Sequence, residues 1–68
     1  MKEDIRKSVR KLMVDTGYGV GELARKLGFQ ATNFSSALTG KRKTKAAASQ
    51  LSAAYRFLLE RMAEMVDS

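Results

Sequence analysis

The chain has 68 residues, 44% of them apolar, and thirteen Lys or Arg against seven Asp or Glu give a formal charge of +6. A chain this short buries only about 60% of the surface its unfolded form exposes, which allows one core but no deep catalytic cleft. His and Cys are both absent, which removes the commonest general base and metal ligand, every thiolate and every disulfide; no enzyme, metal or cofactor is expected.

The longest uninterrupted apolar runs are three residues, far from the ~20 a membrane span needs, and the first residues lack the apolar centre of a signal peptide. A single cytoplasmic domain over residues 1–68, with no membrane and no small-molecule substrate, is therefore expected. The positive charge is uneven. Residues 1–45 hold eleven basic and four acidic side chains, or +7, whereas residues 46–68 hold two and three, or −1. A polyanion is the first partner such a surface suggests, and nucleic acid the first polyanion.

In residues 2–15, Ile5, Val9, Leu12 and Met13 recur at helical spacing, with Lys2, Arg6, Lys7, Arg10 and Lys11 off that stripe. This predicts an amphipathic helix packed on the core, its basic side placed to face phosphates. Gly17 then stands as a helix C-cap, and Tyr18 is expected to tuck under the next helix. Gly21 falls in the first turn of that next helix. A bare backbone there lets a phosphate approach, although plain tolerance of Gly near a helix end explains it equally well.

Residues 20–39 carry two short apolar stripes that meet at Gly28: Val20, Leu23, Ala24 and Leu27, then Ala31, Phe34, Ala37 and Leu38. Gly28 stands where a left-handed cap ends the first helix, and Phe29 supplies an apolar plug between the two. Two short helices joined by a Gly-containing turn make a helix-turn-helix. Off the second stripe lie Gln30, Thr32, Asn33, Ser35, Ser36 and Thr39, all polar and none charged. Solvated helix faces usually carry the better helix formers Glu, Lys, Gln and Arg. Short hydroxyls and amides instead suit hydrogen bonding against base-pair edges.

Gly40 is a further C-cap, and Lys41, Arg42, Lys43 and Lys45 follow it, with Thr44 as N-cap of the last helix. Basic residues beside an uncharged reading face match the division in which phosphate contacts position and base contacts specify. From residue 45 to 66 helical periodicity is unbroken through Ala47, Leu51, Ala54, Leu58, Met62 and Met65, with Tyr55, Leu59 and Val66 widening the stripe. One long helix or two with a break at residues 49–52 both fit. Phe57, Leu58, Leu59, Met62, Met65 and Val66 exceed what so small a core needs, and such a surplus marks an interface; self-association into a homodimer is expected there.

Residues 19–42, GVGELARKLGFQATNFSSALTGKR, resemble the helix-turn-helix of phage repressors and Cro proteins and of the related bacterial XRE-type regulators. The likeness rests on Leu23-Ala24, Leu27-Gly28-Phe29, Phe34, Ala37 and Gly40-Lys41-Arg42. It implies an all-α, compact four- to five-helix lambda repressor-like DNA-binding domain. By position it also implies that Ala31, Thr32, Ser35 and Ser36 face base edges in a major groove, with Gln30 and Asn33 at the margin. Gly21, Thr39, Lys41, Arg42, Lys43 and Lys45 then lie near the DNA backbone. Ala31 stands where this family often has Gln or Arg, which leaves shallower hydrogen-bond and methyl contacts. Members bind double-stranded DNA as dimers at near-palindromic sites, so a small phage- or bacterial-type repressor is the expected function. The alternative is a protein-interaction module, such as an antitoxin or adaptor, whose C-terminal helix carries the function. Single-stranded RNA recognition would need stacking aromatics on an open face, and Phe29 and Phe34 serve better inside.

Overall fold

Glycines set the ends of the first three helices. The computed structural model describes residues 4–67, in which four helices follow one another: α1 (Asp4–Thr16), α2 (Val20–Leu27), α3 (Ala31–Thr39) and α4 (Lys45–Asp67). Residues 2 and 3, expected in the first helix, lie outside the described residues, which contain no strand. The protein is all-α.

Gly17, Gly28 and Gly40 adopt φ of +80°, +80° and +86°, the left-handed conformation that costs glycine least. After each, the next N–H reaches back to a carbonyl five residues earlier: Tyr18 to Met13 at 3.0 Å, Phe29 to Ala24 at 2.7 Å and Lys41 to Ser36 at 3.0 Å. The glycine N–H groups bond the carbonyls of Val14, Arg25 and Ala37, each at 3.3 Å. This doubly bonded ending satisfies carbonyls that a helix terminus otherwise leaves orphaned. In the first two cases the residue after the glycine, Tyr18 or Phe29, is apolar and folds back against the core.

α4 opens differently, with the Thr44 hydroxyl accepting the Ala47 N–H at 3.1 Å, an N-cap bond. The helix then runs unbroken for 23 residues. Ser49 and Ser52, where a break was conceivable, both face solvent and do not interrupt the ladder. At 1.5 Å per residue α4 is about 34 Å long, nearly the full 36 Å of the molecule's longest dimension. It is the spine on which the other three helices pack, α1 most extensively.

All four helices contribute to one core: Val9 and Met13, Leu23 and Ala24, Phe34, Ala37 and Leu38, then Ala47, Leu51, Ala54 and Leu58. No polar or charged residue is buried among the described ones. Three expectations need correction. Ala31, counted on an apolar stripe, is exposed; Phe29 covers that end of α3 instead, its ring centroid 5.7 Å from that of Phe34. Leu58, expected at an interface, is fully buried. Phe57, also expected there, packs against the core and the Tyr18 ring. Both are held because α1 and the turn after it cover α4 further along than helix length alone suggests. No helix of the described residues is long and apolar enough to cross a membrane.

Candidate nucleic-acid interface

α3 buries Phe34, Ala37 and Leu38. At about 100° per residue the centre of its opposite face falls on Thr32, Ser36 and Thr39, flanked by Ala31 and Ser35 on one side and Asn33 on the other. Gln30, Ala31, Thr32 and Thr39 are exposed, whereas Asn33, Ser35 and Ser36 are half-buried. The helix carries no charged residue. The structure thus brings all the expected base-reading residues onto one face and its N-terminal margin.

Local hydrogen bonds determine what that face can offer. The Gln30 side chain makes no capping bond to the helix; its Oε1 accepts from Asn33 Nδ2 at 3.0 Å. The two amides therefore form one unit at the start of α3, leaving the Gln30 amide group and the Asn33 carbonyl oxygen to hydrogen-bond outward. The Thr39 hydroxyl donates to the Ser36 carbonyl at 3.2 Å. In that rotamer it presents only acceptor lone pairs, and it must rotate before it can donate to a phosphate. The hydroxyls of Thr32, Ser35 and Ser36 make no bond within the described protein.

Cations frame the uncharged face. Arg25 and Lys26 occupy the last turn of α2, just before the turn into α3. Lys41, Lys43 and Lys45 are exposed and Arg42 is half-buried, in and just after the loop that follows Gly40. Two further cations come from α1. Arg6 lies over the end of α3, where a Cβ added at Gly40 would stand 3.4 Å from its guanidinium carbon. Arg6 also shares a groove of about 530 Å³ with Arg42, Lys43 and Thr44, floored by Ile5, Ala47, Ala48 and Leu51. Arg10 borders a second depression with Ser35, Thr39 and Leu38. On α4, Arg61 pairs with Glu64 at 3.1 Å. Arg6, Arg10, Arg25, Lys26, Lys41, Arg42, Lys43 and Lys45 form no ion pair among the described side chains.

Sequence alone placed five basic residues on one side of the first helix without separating them. The structure separates the described four: Arg6 and Arg10 approach α3, whereas Lys7 and Lys11 are exposed and Lys11 borders α4 instead. The spacing of four puts Arg6 and Arg10 on one strip of helix surface and Lys7 and Lys11 on another, but only the packing of α1 decides which strip meets α3. Gly21 is open, with nothing within 4 Å of an added Cβ. However, the Glu22 carboxylate already accepts the Gly19 N–H at 3.5 Å, so part of the positive end of α2 is answered internally.

The remaining expected positions lie at the other end of the molecule. Leu59, Met65 and Val66 are 43%, 51% and 77% exposed, and Val14, which the sequence did not single out, is 80% exposed. Met62 is half-buried. Compared with known proteins, the chain matches no family model, no curated protein and no solved structure.

Proposed function

We propose that this chain is a sequence-specific double-stranded DNA-binding protein, a small phage- or bacterial-type transcriptional repressor that acts as a dimer. The observation that carries the reading is the uncharged hydrogen-bonding face of α3, framed by unpaired cations from α1, α2 and the loop after Gly40. In this reading α2 and α3 are the helix-turn-helix and α3 enters the major groove. Thr32, Ser35 and Ser36 meet base edges, with the Gln30–Asn33 amide pair at the margin. Because the face has no charge, affinity comes mainly from Arg6, Lys41, Arg42, Lys43 and Lys45 on the phosphates. Arg25 and Lys26 are suited to the opposite backbone.

A gel-shift titration against salt tests the electrostatic half of the reading. With about five phosphates neutralised per subunit, the slope of log affinity on log salt is about −4.5 per subunit, at −0.9 per phosphate. A flat salt dependence overturns it. Selection of bound sequences from a random DNA pool tests the other half, and a palindromic consensus is the expected outcome.

One observation favours a second reading. The exposed apolar side chains at the end of α4, Leu59, Met65 and Val66, suit a protein-interaction module such as an antitoxin or adaptor. Truncation after residue 58 that leaves oligomeric state and partner binding untouched would remove this reading.

A further inference from the structure

The last fully buried side chain of α4 is Leu58, and none of the eight described side chains that follow, residues 59–66, is buried. Along this segment Tyr55, Leu59, Met62 and Val66 lie four, three and four residues apart. At about 100° per residue all four fall within about 60° of one another on the helix surface. The spacing is the same read in either direction.

We propose that two copies of the chain pair through this stripe in antiparallel register, Tyr55 against the partner's Val66 and Leu59 against the partner's Met62. The inference rests on the dimer reading above and names the surface and register of that dimer. A depression of about 190 Å³ between α1 and α4, lined by Ser8, Lys11, Leu12, Tyr55 and Leu59, lies at the Tyr55 end of the stripe. Antiparallel pairing delivers the partner's Val66, the most exposed apolar side chain on α4, to that depression. Each copy thus fills the other's.

Charge selects the orientation. Residues 1–45 carry +7 and residues 46–68 carry −1. Parallel pairing would set the two positive bodies side by side, with Lys11 facing Lys11 across the axis. Antiparallel pairing sends the bodies to opposite ends and lays a nearly neutral tail beside each. Next to the stripe, Arg56 then meets the partner's Ala63 and no like charges oppose. Four stripe residues with Leu12 and Met65 make a patch below the ~800 Å² per partner of a standard interface. The dimer is accordingly weak in isolation and strengthened when both copies sit on one DNA.

The chain has no cysteine, so introduced thiols report the register directly. Leu59→Cys and Met62→Cys proteins are mixed in equal amounts and oxidised, and the products are separated by mass. The mixed 59–62 disulfide should dominate over 59–59 and 62–62. Comparable homotypic disulfides at both positions mean parallel pairing and overturn the register. Absence of disulfide in every mixture overturns the surface. Independently, Leu59→Asp should weaken association in sedimentation by about thirtyfold or more, the effect of losing a central anchor, with an unchanged unfolding midpoint. A fully dimeric Leu59→Asp protein also overturns the surface. Gel shifts on the same proteins keep the two readings apart: DNA binding without the mixed disulfide sinks only the pairing, and the mixed disulfide without DNA binding sinks only the regulator.

Discussion

The ring of Tyr18 meets the ring of Phe57 edge-on, with centroids 5.6 Å apart and planes at 72°. Tyr18 is the residue that folds back after the Gly17 cap, so this contact fastens the turn between α1 and α2 to the middle of α4. One turn further along α4, the Arg61 guanidinium stands 6.0 Å from the centre of the same Tyr18 ring. Phe57→Ala removes the aromatic pair and leaves a cavity, at a cost of about 3 kcal/mol, the lower end for Phe because the ring is only partly buried. A core this small rarely supplies more than about 3–5 kcal/mol, so about 0–2 kcal/mol should remain and the urea midpoint at 25 °C should fall to less than half of the parent's. If its midpoint matches the parent's, Phe57 is not a core residue.

Two glycines should respond in opposite directions to one substitution. Gly28→Ala forces a Cβ into a φ of +80° with no compensating contact, costing about 1–2 kcal/mol. Gly21→Ala lies inside α2 in open space, and the higher helix propensity should stabilise it by about 0.4–1 kcal/mol. Chemical denaturation reads both. If Gly21→Ala also leaves gel-shift affinity unchanged, the first turn of α2 makes no close backbone contact with phosphate.

Thr44→Ala removes the hydroxyl that accepts the Ala47 N–H and should cost about 1 kcal/mol of stability. For a domain of this size that is about 4–8 °C in melting temperature. Thr44→Ser and Thr44→Asp retain an acceptor and should recover most of it, which distinguishes a cap from simple packing.

Arg6 separates tertiary placement from sequence proximity. It is far from α3 in sequence yet lies over Gly40. Arg6→Ala should weaken binding to all DNA sequences alike and make the salt slope shallower by about one unit. An unchanged slope means that Arg6 packs on the loop without touching phosphate.

Residues within the interface should also divide by role. Replacing Lys41, Arg42 and Lys43 together by Ala should lower affinity uniformly and reduce the slope. Thr32→Ala or Ser36→Ala should instead change which sequence is selected, at about 1 kcal/mol per lost hydrogen bond. Selection from a random pool with each variant is the measurement; similar behaviour of both sets would mean that α3 does not read bases.

What the chain determined locally was read correctly from its residues. Gly17, Gly28 and Gly40 end helices because a left-handed cap needs only the glycine and its immediate neighbours. Thr44 starts one for the same kind of reason, and Leu23, Ala24, Phe34 and Leu38 show their buried faces through spacing alone. The absence of charge on α3 is likewise a property of nine consecutive residues. Burial is different, since it depends on which helix arrives to cover which. Leu58 and Leu59 are adjacent and equally apolar, yet one is fully buried and the other 43% exposed, because α1 and the Tyr18 turn cover α4 on one side only. Ala31 is exposed because Phe29 takes its place over Phe34, and Val14 because no helix passes over that side of α1. The approach of Arg6 and Arg10 to α3 is decided in the same way, by the packing of α1 across α3 and α4, which no local pattern encodes.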